Sequence, residues 1–264
     1  YFYLALRLAH YKKHNPLKIY EKYKYLLENN TQTVVKDWIL GLYAGALVKN
    51  GETVKGVYEF SRLFSEDKIN SHLSYYNFFH IKTNEQWNEL LNLAKSNEEK
   101  TKFYALRALN ENSNVLEELQ NIYTLDKNSK WFEFVLFREL LNTQHYFDQH
   151  SDYERNFNFK KYIEFLNTIK KDDMYLVNLS LAYFHLYEKN FEKSLEITNE
   201  LLRIYPNSHE VQTLSYILYL EQLKNIDTKT ENKIYEKMTI LTKNEINSTS
   251  IHDYTFVILE KLYL

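Results

Sequence analysis

Only four glycines and two prolines in 264 residues predict an all-α protein, because sandwiches, barrels and nucleotide-binding loops need far more of both. Apolar residues recur at helical spacing in segment after segment, and strand alternation is nearly absent. The joints between segments are mostly two to six residues long, which turns neighbouring helices back on one another as antiparallel hairpins.

The elements follow in order. The first helix, about 1–13, carries the stripe Phe2, Leu4, Ala5, Leu8 and Ala9. Pro16 stands in the first turn of the second, 17–29, where its missing N–H costs nothing, and an Asn-rich joint ends that helix. Helices at 32–49 and 53–66 contain or flank all four glycines, and 69–80 follows. Thr83 and Ser96 open helices 84–95 and 97–110 with the S/T-x-x-E/Q spacing of a capping box. The pattern continues at 113–125, 129–146, 157–170, 173–188, 191–204 (closed by Pro206), 208–224, 229–243 and 250–263. The stretch 142–156, "NTQHYFDQHSDYERN", is polar and has few apolar anchors between Phe147 and Phe157. It is expected to break the chain into N-terminal repeats 1–141 and C-terminal repeats 157–264.

Composition narrows the function classes. A hydrophobic fraction of 44% suffices for a sizeable core. A net charge of −2 from 33 basic and 35 acidic residues gives no bulk field to concentrate nucleic acid or an anionic membrane. No apolar run reaches the ~18 residues that span a bilayer, so no membrane span is expected in this segment. The absence of cysteine excludes a disulfide framework and a thiolate metal site, and leaves the compartment open. The chain opens without Met and already in helical register, and closes on "TFVILEKLYL" in mid-pattern, so it is expected to be a segment of a longer protein.

Two stretches match one another. With Ala44 placed on Ala182, Gly51 falls on Lys189 at the joint, Gly56 on Ser194, Phe60 on Thr198 and Leu63 on Leu201. Each has a small residue on its first helix followed twelve positions later by a small residue on its second. Closely crossing antiparallel helices require that spacing, since only small side chains fit where the axes approach. A weaker copy begins at "LRLAHYKKHNPLKIY", and "LQNIYTLDKNSKW" is a degenerate echo of "LLRIYPNSHE".

The pattern resembles the tetratricopeptide repeat family. Leu181, Ala182, Phe191, Ser194, Leu201 and Pro206 carry the resemblance in one unit, and Tyr43, Ala44, Gly51, Gly56, Phe60 and Leu63 in the other. Departures are Lys189 for the joint glycine, Thr198 for an aromatic and Lys68 for the closing proline. The resemblance implies a TPR-like α-solenoid, a superhelix of stacked hairpins whose first helices line a concave side that binds a protein or peptide. The family's ligand-facing positions fall on Trp38, Gly41, Gly45, Val48 and Lys49, and on Leu176, Leu179, Tyr183, Leu186 and Tyr187. The basic and Asn residues with which chaperone-adaptor members clamp a partner's C-terminal carboxylate are not at these positions. An aromatic and apolar groove implies instead a segment bound mainly by burial, or a surface covered by another part of the same longer chain. Gly41 and Gly45, four apart, leave room beside Trp38 for a ligand chain or equally for a neighbouring helix.

No motif for chemistry stands out: there is no HExxH, no Gly-rich phosphate loop and no GxSxG elbow. His145, Asp148, His150 and Asp152 offer N and O ligands within eight residues, but such residue types also collect in polar loops. His10 and His14, at i and i+4, share a helix face and are read as residues at a helix end. The 24 tyrosines and 16 phenylalanines lie among alternating lysines and glutamates, the pattern of solvated helix faces rather than of a basic groove for nucleic acid. The expected function is a non-enzymatic protein-interaction scaffold with no catalytic residue, metal or cofactor. The alternatives are a sensor or docking arm of a larger enzyme or signalling protein whose catalytic part lies elsewhere, and a helical hydrolase centred on residues 145–152.

Overall fold

The computed structural model describes residues 1–12, 14–27, 33–64, 71–148, 157–169 and 174–242. Among these residues the chain forms fourteen α-helices and no strand. They are α1 (Phe2–Tyr11), α2 (Pro16–Tyr23, continued by a 3-10 turn at Lys24–Leu27), α3 (Val34–Lys49), α4 (Thr53–Ser61), α5 (Ser71–Phe78), α6 (Asn84–Leu93) and α7 (Asn97–Ala108). Then come α8 (Val115–Leu125), α9 (Lys130–Asp148), α10 (Phe159–Ile169), α11 (Tyr175–Tyr187), α12 (Phe191–Ile204), α13 (His209–Glu221) and α14 (Thr228–Thr242). The expected helix at 250–263 and the closing position Lys68 lie outside the described residues. Of the expected break at 142–156, residues 142–148 belong to α9 and the remainder lies outside the described residues.

Helix starts follow local chemistry. Asn15 caps α2 by accepting from Lys18 N, with Pro16 at the first helical position. Thr83 and Gln86 complete a reciprocal capping box on α6. At α7 only half the box forms. Ser96 accepts from Glu99 N, but the Glu99 carboxylate reaches one residue further back and accepts from Lys95 N at 2.8 Å. His10 stands in the last turn of α1, at a helix end as expected, but the shared face with His14 is corrected: α1 ends at Tyr11, and His14 lies beyond it, exposed, one residue before the extended Asn15 that Pro16 requires.

The chain divides into two units, Tyr1–Val135 and Leu136–Leu264. Within the first, α1 packs on α2 and α3, α4 on α3, α5 and α6, α5 on α7, and α7 on α8. Its interior holds Val57, Phe78, Trp87, Leu90, Phe103 and Leu106 in one cluster and Ala44, Phe60 and Leu63 in another. Within the second, α11 packs on α10, α12 and α13, while α13 also contacts α12 and α14. Tyr216, Leu220, Ile234 and Leu241 form a core there.

The hairpins α3/α4 and α11/α12 share one joint. Gly51 and Lys189 both adopt left-handed φ, at +90° and 58°. In the first joint Gly51 N donates to Val48 O and Glu52 N to Leu47 O; in the second Lys189 N donates to Leu186 O and Asn190 N to His185 O. This pair of bonds is the Schellman closure of a helix C-terminus, made at equivalent positions in both units. The crossings correspond as well. A Cβ on Gly56 would lie 2.8 Å from the Ala44 carbonyl oxygen, and Ser194 donates its hydroxyl to the Ala182 carbonyl at 2.7 Å. Thr198, standing where the other unit has Phe60, is buried and returns its hydroxyl to Ser194 O. In the weaker copy, Ala9 of α1 is buried like Ala44 and Ala182, but Leu8 is exposed where Leu181 is buried.

A lysine in the left-handed region carries a steric cost that glycine does not. Lys189→Gly is therefore expected to raise stability by about 0.5–1 kcal/mol, the strain relieved exceeding the added freedom of the unfolded chain. Urea denaturation followed by far-UV circular dichroism measures it, and a loss of stability would contradict the shared-joint geometry.

Candidate functional site

Helices α1 and α3 lie side by side in the first unit and leave a cleft of about 330 Å³ between them, lined by Tyr3, His10, Trp38, Gly41, Gly45 and Phe60 among others. Leu6 and Ala9 anchor α1 in the interior. Tyr3 and His10, seven residues apart, share a face of α1. The Tyr3 ring lies 5.4 Å from the Trp38 indole, which stays 40% exposed. On the far side of α3 a stack of Tyr20 on Tyr43, centroids 3.7 Å apart, fixes α2 against the helix. Burial, assisted by the nearby Glu59 carboxylate, pushes the Tyr43 hydroxyl up to about 12.

The two glycines of α3 divide the alternatives that the sequence leaves open. A Cβ on Gly41 would come within 3.3 Å of Leu73 Cδ1, so the space beside Gly41 is taken by the Leu73 side chain. A Cβ on Gly45 would meet only Phe60 Cζ at 3.8 Å and His10 Cε1 at 4.0 Å, ordinary contacts, so its missing side chain leaves free volume. A second cleft of about 360 Å³ adjoins at His10 and takes in His14, Pro16, Ala46, Lys49 and Asn50.

The other expected groove residues are distributed unevenly. Val48 is half-buried at the α3/α4 crossing, its Cγ2 lying 2.6 Å from where a Gly56 Cβ would stand. Lys49 is exposed on the rim of the second cleft. In the second unit Leu179, Tyr183 and Leu186 are buried, which leaves them no open surface. Leu176 and Tyr187 are half-buried, and the Tyr187 ring packs 5.4 Å from Phe159 and 6.1 Å from Tyr183.

Tyr3, His10 and Leu73, with Phe60 of the repeat pattern, complete the wall around Trp38 and were not among the expected ligand-facing positions. The seven-residue spacing of Tyr3 and His10 is the one sequence signal that links any of them. Of the His145, Asp148, His150 and Asp152 group, His150 and Asp152 lie outside the described residues, and His145 and Asp148 are placed only as backbone of α9. Among the described residues no group of three or more His, Asp or Glu is gathered to hold a metal. No helix among them is long and apolar enough to cross a membrane. In comparisons with known proteins the chain matches no family model, no curated protein and no solved structure.

Proposed function

We propose that this chain is a non-enzymatic, TPR-like scaffold whose hairpins stack as an α-solenoid and whose α1/α3 cleft holds a segment of a partner protein. The observation that carries this reading is the open volume at Gly45 beside a 40% exposed Trp38. Free space next to a large exposed aromatic is costly to leave against water and is the form that interface hot spots take. The repeat architecture draws support from the shared left-handed joint of α3/α4 and α11/α12 and from their matching small-residue crossings.

The groove is weighted towards the first unit, since Tyr183 and Leu186 of the second are interior. Trp38→Ala and Gly45→Leu are expected to leave the melting temperature nearly unchanged, and to weaken capture of the partner segment by about 1–2 kcal/mol, the ordinary scale for an interface aromatic. Affinity and melting temperature measured on the same purified variants separate the two roles. Loss of stability with unchanged affinity would make Trp38 a packing residue and remove the binding claim.

A further inference from the structure

The two clefts meet at His10 and differ in character. One is walled by Trp38, Gly45 and Phe60; the other by His10, His14 and Lys49. Neither has an aspartate or glutamate among its lining residues. Residues 1–20, which supply α1 and the start of α2, contain no acidic residue, and Lys49 of α3 is the lining residue that carries a full charge. The second cleft ends at the Lys49 ammonium, and the neighbouring Glu52, which accepts from Asn50 on the rim, is already paired with Lys55, so the groove runs from apolar to cationic and complements a ligand of the opposite pattern.

Resting on the scaffold reading above, we infer that the segment held between α1 and α3 is an acidic peptide in extended form. It seats a bulky apolar side chain beside Trp38 and Gly45 and an Asp or Glu side chain at His10, His14 and Lys49. The spacing between those two side chains follows from helix and strand geometry. Gly45 and Lys49 are four residues apart on α3, a rise of about 6 Å. In an extended peptide, side chains two residues apart point the same way at about 6.6 Å. The recognised pattern is therefore an apolar residue and an acidic residue separated by one position. Apolar burial holds the first, and the basic rim selects the second over its amide or a lysine.

The test uses the full chain and a display library of random peptides of about nine residues, with counter-selection on the Gly45→Leu chain. Peptides retained by the unaltered chain and lost on Gly45→Leu are expected to be enriched in the apolar-x-acidic spacing. For a retained peptide made synthetically, replacing the acid by its amide should weaken binding about ten-fold, and Lys49→Glu should reverse the preference towards a lysine analogue. Lys49 is exposed, so that variant folds as the parent does. Retained peptides without acid enrichment, or affinities indifferent to Lys49→Glu, overturn the inference and leave the scaffold reading standing. If no peptide depends on Gly45, both fall.

Discussion

Replacing Gly56 with alanine is expected to destabilise the Tyr1–Val135 unit by about 2–3 kcal/mol, although alanine is the better helix former by about 1 kcal/mol. A Cβ there meets Val48 Cγ2 at 2.6 Å, the Ala44 carbonyl oxygen at 2.8 Å and Val48 N at 3.0 Å. The valine methyl can rotate aside. The two backbone atoms retreat only if α3 and α4 separate, which opens the cluster of Ala44, Phe60 and Leu63. Gly45→Ala is the control, since its Cβ meets nothing nearer than 3.8 Å and the better helix propensity should make it neutral or stabilising. Trp38, Trp87 and Trp131, the chain's three tryptophans, all lie in this unit, so urea unfolding followed by tryptophan fluorescence reports on it alone. Equal effects at the two glycines would contradict the close crossing.

A loss of similar size, about 3 kcal/mol, is expected for Arg107→Ala, because it strands a buried carboxylate. Arg107 of α7 donates from Nε and Nη2 to the two Glu118 oxygens of α8 at 2.7 and 2.9 Å, and its guanidinium carbon lies 3.8 Å over the Trp87 ring. The Glu118 side chain is 5% exposed. Burial pushes its carboxyl above the usual range, with the Arg107 fork opposing. Removing the arginine removes the opposing influence, so the folded-state pKa rises further. A group whose pKa is raised by folding stabilises most below its unfolded pKa and loses that contribution as pH rises through the folded value. The deficit of Arg107→Ala should therefore be smaller near pH 4 than near pH 7, and Glu118→Gln should rescue part of it at neutral pH. Chemical denaturation at the two pH values measures this. A deficit that grows on acidification would mean Glu118 is charged and satisfied by something other than Arg107.

The helices were legible because their signals are local. Thr83, Ser96 and Pro16 mark helix starts within one turn, and the sequence pattern needs nothing from elsewhere to show them. The matching of Gly51 with Lys189 was legible through spacing, although a lysine at a glycine position hides what the backbone does there. The groove was only half legible. Helix α11 is buried on every side, Val177 to Leu186 without a break and the polar Asn178, Ser180 and His185 among them, so periodicity cannot say which of its faces looks outward. Around α3 the outcome depends on where Tyr3, His10 and Leu73 arrive from two other helices, and no pattern within α3 carries that.

The two small-residue crossings also differ in how they can change over generations. At α11/α12 the backbones stand far enough apart for Ser194 to keep a Cβ and to place its hydroxyl 2.7 Å from Ala182 O; at α3/α4 a Cβ would already lie 2.8 Å from Ala44 O. Serine to glycine at 194 deletes atoms and one hydrogen bond, a step the fold survives. Glycine to serine at 56 adds atoms where two helices touch, and demands that both move. Descent through such crossings runs in one direction. A hairpin drifts into the tight form by a single substitution and leaves it only by several at once, so Gly56 is held by the packing that has closed around it while Ser194 can still give way to another small residue.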